Sequence, residues 1–590
     1  MADHNRVPVW PLLICWTMIA GALAVRAAFS AGTTPLILDT DDAMRLTVVH
    51  DLLGGQGWFD HVQHRLNTPF GAEIHWSRLI DVPEAALLMV FRPLFGAAAD
   101  TALAYAWPLL LLGGFLWITA RIALQLAGRS VLVPALMLPA GSLITMAEFA
   151  PGRLDHHGAQ ILLALAMLSG CIATIQHARA ALLAGLTAGI ALAIGIEALP
   201  MVGTTILSMG LLWVSDARHA KPLRDFGLSF AVVTVLAVAI GVHPSRWFVP
   251  AADAISGTFG LAALLCGLAL LLLSLLRLAT WRLRLLAGVV AGLVIAAVLV
   301  GTSPTLLSGP YGLLDPWLLA NWIDRISEAE PWAVSFAGEP VYAVAVAIPV
   351  LTGLAVTLWN VVRLRNDRGT WLVYLVFLVV ALAIMALQIR AARFAVPLAT
   401  PACAVLVAAA WKKMTSSNGF GPILVALGSV VVSAGILVAV AAVLLLALVP
   451  GGDAASPDGL QDERNACIQP AAFADLAGLP AERVMTPIDL GSHLLLYTPH
   501  SVVAAPYHRN QQGVLDTFRF FNDPIESGRQ ILAARGVTLV VICPAMHEIR
   551  GLVAHAPDSF VSLFAAGRLP AWLQDTTPAG SALRIYAVGR

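Results

Sequence analysis

The chain has 590 residues, of which 59% are hydrophobic and only 12% are charged, and its mean hydropathy is +0.82. An average soluble domain is about a quarter charged, so this composition excludes a water-soluble globular protein and indicates a membrane protein. Lys and Arg together number 35, as do Asp and Glu, and the formal net charge is zero. Nucleic-acid binding needs a basic surface, so nucleic acid is also excluded as a partner.

Apolar segments that are long enough to cross a bilayer recur between residues 8 and 449. A hydrocarbon core about 30 Å thick needs roughly 20 apolar residues in each helix. The sequence therefore predicts about thirteen spans, at residues 8–29, 101–126, 131–148, 158–176, 180–197, 199–215, 226–243, 256–276, 285–302, 341–363, 370–388, 394–411 and 421–449. The first run follows a basic residue, as in a cleaved signal peptide, but its length and the topology that follows favour an uncleaved span.

Basic residues in the loops predict the orientation of the chain. With thirteen spans, the clusters of Lys and Arg fall on the same side of the membrane as the N-terminus, among them Arg129, Arg218, Arg277, Arg363 and Lys412. Cytoplasmic loops carry an excess of Lys and Arg, so this side is predicted to be the cytoplasmic side of a bacterial inner membrane. Counting the apolar stretch 81–96 as a span would reverse the pattern. We therefore predict that it is a short, partly buried helix that closes the first loop.

Three segments are then expected on the periplasmic side: a loop at residues 31–100, a loop at 303–340, and everything after residue 450. A linker rich in Gly, Ala, Ser, Pro and Asp begins at residue 451 and leads into short alternating elements. Strands are predicted at 484–486, 501–505, 537–542 and 583–588, with helices near 471–476 and 513–532. The predicted fold is a polytopic α-helical membrane domain, residues 1–450, followed by a periplasmic α/β domain, residues 451–590.

Two of the six cysteines, Cys467 and Cys543, lie in this polar C-terminal region. In an oxidising periplasm they can form a disulfide, and the sequence leaves the paired and unpaired states open.

The first acidic cluster follows the first predicted span and places Asp39, Asp41 and Asp42 within four residues. Hard divalent cations prefer such oxygen ligands, and a phosphate or diphosphate substrate could complete their coordination. The alternative is a solvated loop that happens to be acidic.

The second cluster, Arg153 to His157, follows the third predicted span and should emerge on the same face. Its neighbouring Asp155, His156 and His157 are residue types that bind metals or exchange protons near neutral pH. A polar turn among lipid headgroups is the alternative. Two such clusters on one face favour a shared site.

The later outer loop contains Ser327 and Glu328, and Arg390 and Arg393 precede the twelfth predicted span. Positive charge on the outer face departs from the charge bias, and charge at membrane depth is costly unless it faces a site. Arg393 could bind a lipid phosphate through its bidentate guanidinium, whereas simple snorkelling to the interface is the alternative.

In the C-terminal region, Asp489 follows one predicted strand, and Tyr507, His508 and Arg509 follow the next. Loops after strands present polar groups to ligands in α/β folds. Helix capping by Asp489 and ordinary turn chemistry are the alternatives.

The order of these motifs resembles the catalytic subunit of oligosaccharyltransferase, within the GT-C superfamily of glycosyltransferases that use polyprenyl-linked donors. The resemblance is collinear over nearly the whole chain. It implies that Asp41, or its neighbour Asp42, binds a divalent metal, and that Asp155 leads the second acidic motif, in which a His replaces the family's second acidic ligand. It also implies Glu328 as the acceptor-site carboxylate and Arg393 as the contact to the donor's phosphate.

One family motif departs from the pattern. The Trp-Trp-Asp motif, which reads the hydroxyl group of an Asn-x-Ser/Thr acceptor, corresponds here to Pro487, Ile488 and Asp489. Both tryptophans are missing, which argues against glycosylation of such sequons and leaves the donor chemistry intact.

The resulting hypothesis is transfer of a sugar or oligosaccharide from a polyprenyl (di)phosphate donor to a periplasmic glycolipid, polysaccharide or protein. Mg²⁺ or Mn²⁺ would be held by Asp39, Asp41, Asp155 and His157, and the candidate catalytic carboxylates are Asp41, Asp42 and Glu328. Arg393 and Arg390 would bind the donor phosphate, and Ser327, Asp489, Tyr507, His508 and Arg509 would face the acceptor. With a monophosphate donor the metal becomes dispensable.

Two other classes of function are weighed against this hypothesis. A transporter or flippase for lipid-linked glycans would place ionisable residues in mid-span and often contains inverted repeats, whereas nearly all charge here lies outside the predicted spans and no repeat is evident. A membrane scaffold with a soluble sensing domain would leave both acidic clusters without a role.

Overall fold

The computed structural model describes residues 6–364, 367–417, 419–447, 459–551 and 553–589. The predicted linker, residues 451–458, lies outside these ranges. Within them the α-helices are α1 (Val9–Ser30), α2 (Thr40–Leu53), α3 (Arg78–Phe95), α4 (Ala99–Ala127), α5 (Leu132–Met137), α6 (Leu143–Glu148), α7 (His157–Thr174), α8 (Ala180–Ile194), α9 (Leu199–Ser215), α10 (Ala220–Gly241), α11 (Gly257–Leu275), α12 (Trp281–Thr302), α13 (Pro316–Asn321), α14 (Trp332–Gly338), α15 (Pro340–Arg363), α16 (Arg368–Leu387), α17 (Ala392–Ser416), α18 (Phe420–Ser433), α19 (Gly435–Ala447), α20 (Gly459–Cys467), α21 (Ala474–Ala477), α22 (Ile488–Tyr497), α23 (Gln511–Asn522), α24 (Ile525–Arg535) and α25 (Phe560–Ala565).

The helical part is that of a multi-pass membrane protein. In the described ranges, ten helical segments are long and apolar enough to cross a bilayer, or eleven if the bent pair α18 and α19 is one span. The sequence predicted about thirteen. The difference arises at short or interrupted helices, which a hydropathy average does not detect.

Predicted span 131–148 is two six-residue helices, α5 and α6, separated by a 3₁₀ turn that contains Pro139. Proline lacks the amide hydrogen that continues an α-helix, so the span breaks there. Predicted span 180–197 is the 15-residue helix α8. Predicted span 421–449 bends by 99° between α18 and α19.

The apolar stretch 81–96 lies in α3, which has one buried and one exposed face. Ile80, Glu84 and Leu88 are buried, whereas Leu79 and Met89 are exposed. The helix is partly buried, as the sequence predicted, but it is not short: it has 18 residues and belongs to the helical segment Arg78–Gly141, which is long and apolar enough to cross a bilayer.

The C-terminal region is an α/β domain, as predicted. The strands are β1 (Val62–Gln63) and β2 (Ala72–Glu73) in the loop between α2 and α3, followed by β3 (Arg483–Met485), β4 (Ser501–Val502), β5 (Leu539–Ile542), β6 (Leu573–Asp575) and β7 (Arg584–Val588). The last five form one sheet in the order β4-β3-β5-β7-β6. Strand β3 runs parallel to β4 and β5, and β7 runs antiparallel to β5 and β6. Every residue of the central strand β5 is buried.

Cys467 and Cys543 are joined in a disulfide with their Cα atoms 5.9 Å apart. The bond links the end of α20 to the residue that follows β5. The other cysteines, Cys15, Cys171, Cys266 and Cys403, are free and buried.

Helix α2 and the loop between α2 and α3 pack into the C-terminal domain. Met44, Val48 and Trp76 share a buried apolar cluster with Leu490 and Leu494 of α22. Two backbone hydrogen bonds join the segments, from the Thr68 amide to the Val502 carbonyl over 3.1 Å and from the Val502 amide to the Arg65 carbonyl over 2.8 Å. This packing brings α2, with its acidic first turn, against the C-terminal domain.

Candidate functional site

The first acidic cluster forms the start of α2. Asp39 is the N-cap, and its Oδ1 accepts a hydrogen bond from the Asp41 amide over 2.9 Å. Asp41 and Asp42 occupy the first turn, where the helix dipole favours negative charge. Helix capping therefore accounts for part of the acidic pattern, but it does not require three carboxylates.

A tight turn places the second cluster against the first. Gly152 has φ = +100°, and a Cβ atom on it would lie 1.8 Å from the carbonyl oxygen of Leu36. Only glycine tolerates both the positive φ and this close approach. Asp42, buried to 1% exposure, accepts hydrogen bonds at Oδ1 from the amides of Leu154 over 2.7 Å and Asp155 over 2.9 Å. Asp42 thus holds the backbone of the second cluster in place.

Arg153 connects the carboxylates of the two clusters. Its Nη1 atom donates to Asp39 over 2.7 Å and to Asp42 over 3.0 Å, and its Nη2 atom donates to Asp155. Its side chain is 20% exposed. Although burial by itself would raise the pKa of the Asp155 carboxyl, Arg153 and His157 hold that pKa well below its ordinary value.

Asp41 is the acidic residue of the first cluster that Arg153 does not bind. Burial, together with the nearby carboxylates of Asp39 and Asp155, raises the pKa of Asp41 to about 7. The hydroxyl group of Tyr507 donates a hydrogen bond to the carbonyl of Thr40, the residue before Asp41, over 3.2 Å. Through Tyr507, the C-terminal domain contacts the first acidic cluster.

Two histidines and Glu197 line the other side of Asp155. His157 Nδ1 lies 2.6 Å from an oxygen of Asp155, and His156 Nε2 lies 2.9 Å from Glu197 Oε2. The same oxygen of Glu197 is 3.6 Å from His157 Nε2. The guanidinium of Arg45 stacks over the Trp76 ring, 4.3 Å from its centroid. It also lies 3.4 Å from His156 Nδ1, on the side of the imidazole that faces away from Glu197.

The residues of this site fit a divalent cation by their chemistry. In the described part of the chain, two sets have ligand atoms within 4.8 Å of one another: Glu148, Asp155 and His157, and His156, His157 and Glu197. Carboxylate and imidazole are ligands of Mg²⁺, Mn²⁺ and Zn²⁺. The Oε2 atom of Glu148 is buried without a hydrogen-bond partner. Of the predicted ligands, Asp155 and His157 belong to these sets, whereas Asp39 and Asp41 belong to neither.

An ion pair between Arg393 and Glu328 lies at the edge of the site. Arg393 Nη2 donates to Glu328 Oε2 over 3.2 Å, and its Nε lies 3.6 Å from Glu148 Oε1. The structure thus brings the predicted acceptor carboxylate and the predicted phosphate-binding guanidinium together. Glu328 remains 54% exposed and Arg393 is 15% exposed.

Two cavities meet at Arg393 and Glu148. A cavity of about 670 Å³ is lined by Arg26, Asp39, Asp42, Glu148, Arg153 and Arg393. A second cavity, of about 500 Å³, is lined by Ser327, Glu328, Arg390 and Arg393, and also by Glu148. Volumes of roughly 300–1,000 Å³ are typical of small-molecule sites.

The structure places His508 and Arg509 in another ion-pair cluster. Arg509 donates to the two oxygens of Asp253 over 2.6 and 2.9 Å, and His508 Nε2 lies 2.7 Å from the same carboxylate. Asp253 is in the loop between α10 and α11. Of the predicted acceptor residues, these two therefore bind a neighbouring loop of their own chain.

Asp489 occupies the first turn of α22. Burial raises the pKa of Asp489, and the carboxylate of Asp39 adds to the rise. Nearby Glu548 is buried to 2% exposure, and its Oε1 accepts a hydrogen bond from the Ile488 amide over 2.8 Å. Glu548 thus holds the start of the helix that carries Asp489.

Two carboxylates of the site, Glu148 and Glu197, were not predicted from the sequence. Each is a single carboxylate in an otherwise apolar predicted span. Charge at membrane depth is costly unless it faces a site. This rule alone predicts that Glu148 and Glu197 are site residues.

Three solved structures of an oligosaccharyltransferase from Archaeoglobus fulgidus have folds similar to that of this chain. For AglB in complex with an inhibitory peptide and a dolichol-phosphate, the TM-score is 0.64 and the identity 12%, over 97% of this chain and 74% of the other. The form tethered to an acceptor peptide with the NVT sequon has a TM-score of 0.60 and 14% identity, over 97% and 74%. The complex with Zn and sulfate has a TM-score of 0.56 and 13% identity, over 98% and 73%.

No known protein-family profile matches the chain, and no curated protein matches it. The structural likeness shows a fold like that of this archaeal oligosaccharyltransferase, which the order of the motifs predicted.

Proposed function

We propose that this protein transfers a sugar or oligosaccharide from a polyprenyl phosphate or diphosphate donor to an acceptor on the periplasmic face of a bacterial inner membrane. The observation that supports the proposal is the position of Arg153, which binds the carboxylates of Asp39, Asp42 and Asp155. Arg393, which pairs with Glu328, lines the same cavity as Arg153. Carboxylates and guanidinium groups at one cavity suit a substrate with both a phosphate and a nucleophilic hydroxyl or amine. A neighbour with the same fold was solved with dolichol-phosphate, which supports a lipid-linked donor.

In the proposed reaction, an oxygen or nitrogen atom of the acceptor forms a bond to C1 of the donor sugar. The bond between C1 and the phosphate oxygen breaks, and its electron pair leaves with the phosphate. The proton of the acceptor passes to a carboxylate, Asp41 or Glu328. Arg393 would bind the departing phosphate, and Arg390, which lines the same cavity, would add positive charge.

Asp155 and His157, with Glu148, would hold Mg²⁺ or Mn²⁺. Asp41, with Asp39 or Asp42, would supply the further carboxylates that the sequence predicted. A bound ion of this kind supplies positive charge opposite a developing phosphate anion. Asp42 would orient Asp155 through the two amides that it binds, and Asp155 would orient His157 over the 2.6 Å contact. A neighbour solved with Zn and sulfate supports a divalent cation in this fold.

The acceptor is proposed to enter beside Ser327, Glu328, Asp489 and Tyr507. His508 and Arg509 would act indirectly, because they anchor the loop of Asp253 to the C-terminal domain. Since both tryptophans of the sequon-reading motif are missing, we propose a glycolipid, polysaccharide or protein site other than Asn-x-Ser/Thr. The Cys467–Cys543 disulfide supports a periplasmic location for this domain.

The test is mass spectrometry of polyprenyl-linked sugars and envelope glycoconjugates in cells that express wild type, Asp41→Asn or Asp155→Asn at equal levels. Asp462→Asn, at an exposed position of α20, is the matched control. We expect the two site variants to accumulate a lipid-linked sugar and to lose one glycoconjugate, whereas the control behaves as wild type. Unchanged glycans in both site variants would contradict the enzymatic role and favour a transporter or scaffold.

A further inference from the structure

The loop between α10 and α11, residues 242–256, has three consecutive exposed apolar side chains. Phe248 is 93% exposed, Val249 is 49% exposed and Trp247 is 37% exposed. Scattered apolar side chains are normal on a protein surface, whereas a contiguous patch marks a contact with another protein or with a membrane. We term residues 247–249 the apolar tip of this loop.

Hydrogen bonds within the loop fix the conformation of the apolar tip. The indole Nε1 atom of Trp247 donates to the Val242 carbonyl over 2.9 Å. The Val249 amide donates to the Arg246 carbonyl over 3.1 Å. The exposure of the tip is therefore a property of a folded loop.

The apolar tip lies level with the ends of two membrane spans. Gly257 is the first residue of α11, and a Cβ atom on it would lie 1.6 Å from the carbonyl oxygen of Trp247. The other span, α10, ends at Gly241. In its last turn the Ile240 carbonyl accepts a hydrogen bond from Trp58 Nε1 over 2.7 Å. Both helices are long and apolar enough to cross a bilayer, so these two tryptophans lie where the spans leave it.

The same loop binds the C-terminal domain through Asp253, which accepts hydrogen bonds from Arg509 and lies 2.7 Å from His508. Arg509 Nη1 also lies 3.1 Å from Glu73 Oε1, and Arg246 of the loop binds that same oxygen. The Asp253 and Arg509 side chains are only 14% and 17% exposed. An ion-pair network thus joins this loop, the loop between α2 and α3, and the C-terminal domain.

A lipid surface suits the apolar tip better than a protein partner does. A stable protein interface buries about 800 Å² on each partner, which is more than three side chains provide. Tryptophan is enriched at membrane surfaces because its ring is apolar and its N–H is polar. Along α10, Leu236 and Ile240 are 53% and 57% exposed, so the tip continues an apolar surface that faces lipid.

We propose that the apolar tip inserts into the headgroup region of the bilayer, in the leaflet on the side of the C-terminal domain. Through Asp253, the inserted loop then holds the C-terminal domain at the membrane surface. This anchoring does not depend on the proposed transfer reaction.

Insertion is tested by the collision rates of a nitroxide spin label in the full-length protein, reconstituted in nanodiscs with its free cysteines replaced by alanine. The label is attached to Phe248→Cys. Leu293→Cys, 65% exposed on α12, is the lipid reference, and Glu526→Cys, exposed on α24, is the aqueous reference. We expect the label at position 248 to collide with oxygen in preference to a water-soluble nickel complex, as the lipid reference does. A preference for nickel would overturn the proposal, and so would protection from both reagents, which would indicate a protein partner.

Hydrogen exchange in α23, which follows Arg509, tests whether the loop holds the C-terminal domain. The double variant Trp247→Ser and Phe248→Ser should raise this exchange in nanodiscs. Asp253→Asn should raise it by about tenfold, because charge-assisted hydrogen bonds to Arg509 are lost. Phe420→Ser, 72% exposed at the start of α18, is the matched control and should leave the exchange unchanged.

Exchange in α23 that is the same in wild type and in the double variant would overturn the anchoring role. Collision and exchange rates are measured without a sugar donor. A failure of this proposal is therefore distinct from a failure of the glycoconjugate assay.

Discussion

Arg153 donates from Nη1 to Asp42 Oδ2 over 3.0 Å, although 111 residues separate the two along the chain. Asp42 in turn accepts the amides of the two residues that follow Arg153. Each acidic cluster is therefore held in position by the other.

Replacement of Arg153 by Gln should abolish transfer and destabilise the protein. Breaking a buried ion pair costs about 3–5 kcal/mol, because the carboxylates of Asp39, Asp42 and Asp155 lose their common partner. Thermal unfolding of the detergent-solubilised protein measures the stability, and the glycoconjugate assay measures transfer. Arg153→Lys keeps the positive charge but lacks the planar, bidentate guanidinium. Its stability and its transfer activity should therefore lie between those of wild type and Arg153→Gln. A fully active, fully stable Arg153→Gln variant would contradict the central position of this residue.

Removal of divalent cations should stop transfer, and Mg²⁺ or Mn²⁺ should restore it. Because Asp155 and His157 have ligand atoms within 4.8 Å of each other, Asp155→Asn should weaken Mn²⁺ binding, read by electron paramagnetic resonance. The control variant Asp462→Asn, at an exposed position, should bind Mn²⁺ as wild type does. Full activity in excess EDTA would instead point to a monophosphate donor and direct action of a carboxylate.

Arg393 and Glu328 should be energetically coupled, because a 3.2 Å hydrogen bond joins them. We expect Arg393→Gln mainly to raise KM for the lipid donor and Glu328→Gln mainly to lower kcat. A double-mutant cycle on kcat/KM should give a coupling energy of about 0.5–3 kcal/mol. Additive effects of the two substitutions would show that the pair does not act together in the reaction.

The disulfide should stabilise the C-terminal domain. Its cysteines are 76 residues apart, and closing a loop of that size in the unfolded chain is worth about 2–5 kcal/mol. Cys467→Ser with Cys543→Ser should therefore increase hydrogen exchange in β3, β5 and β7. Dithiothreitol should produce the same change in wild type and none in the double variant. Equal exchange in oxidised wild type and the double variant would contradict this prediction.

Glu548 should make the C-terminal domain less stable as the pH rises from about 4.5 to about 8. Burial and the neighbouring Asp489 raise the pKa of Glu548 to about 8, so the folded domain keeps a proton that the unfolded chain releases near pH 4.5. The contribution of Glu548 to the free energy of unfolding is fully present below about pH 4.5. It falls by up to about 1.4 kcal/mol per pH unit as the pH rises, and it is lost above about pH 8.

Thermal unfolding of the full-length protein between pH 5 and pH 8.5 measures this effect. Glu548→Gln keeps an oxygen for the Ile488 amide and should flatten the pH dependence. Glu526→Gln, exposed on α24, is the control. An unchanged slope in Glu548→Gln would assign the titration to another group.

Much of the architecture follows from local sequence. Apolar runs mark most spans because each long helix must satisfy its own backbone in lipid. Short alternating runs mark the β5 and β7 strands, which lie close to their predicted positions. Helix α22 was missed because its ten residues lie between two predicted strands without a clear helical period.

By itself, the sequence determined the membrane class, the order of the motifs and the residue types of the site, since composition and hydrophobic periodicity depend on residues near one another. Only the tertiary structure decided how these motifs meet. The close contact of Gly152 with Leu36, the junction at Glu148, and the binding of Arg509 by Asp253 all join residues that are distant in the chain. No single segment contains these contacts, because they form only when separate helices and loops pack together.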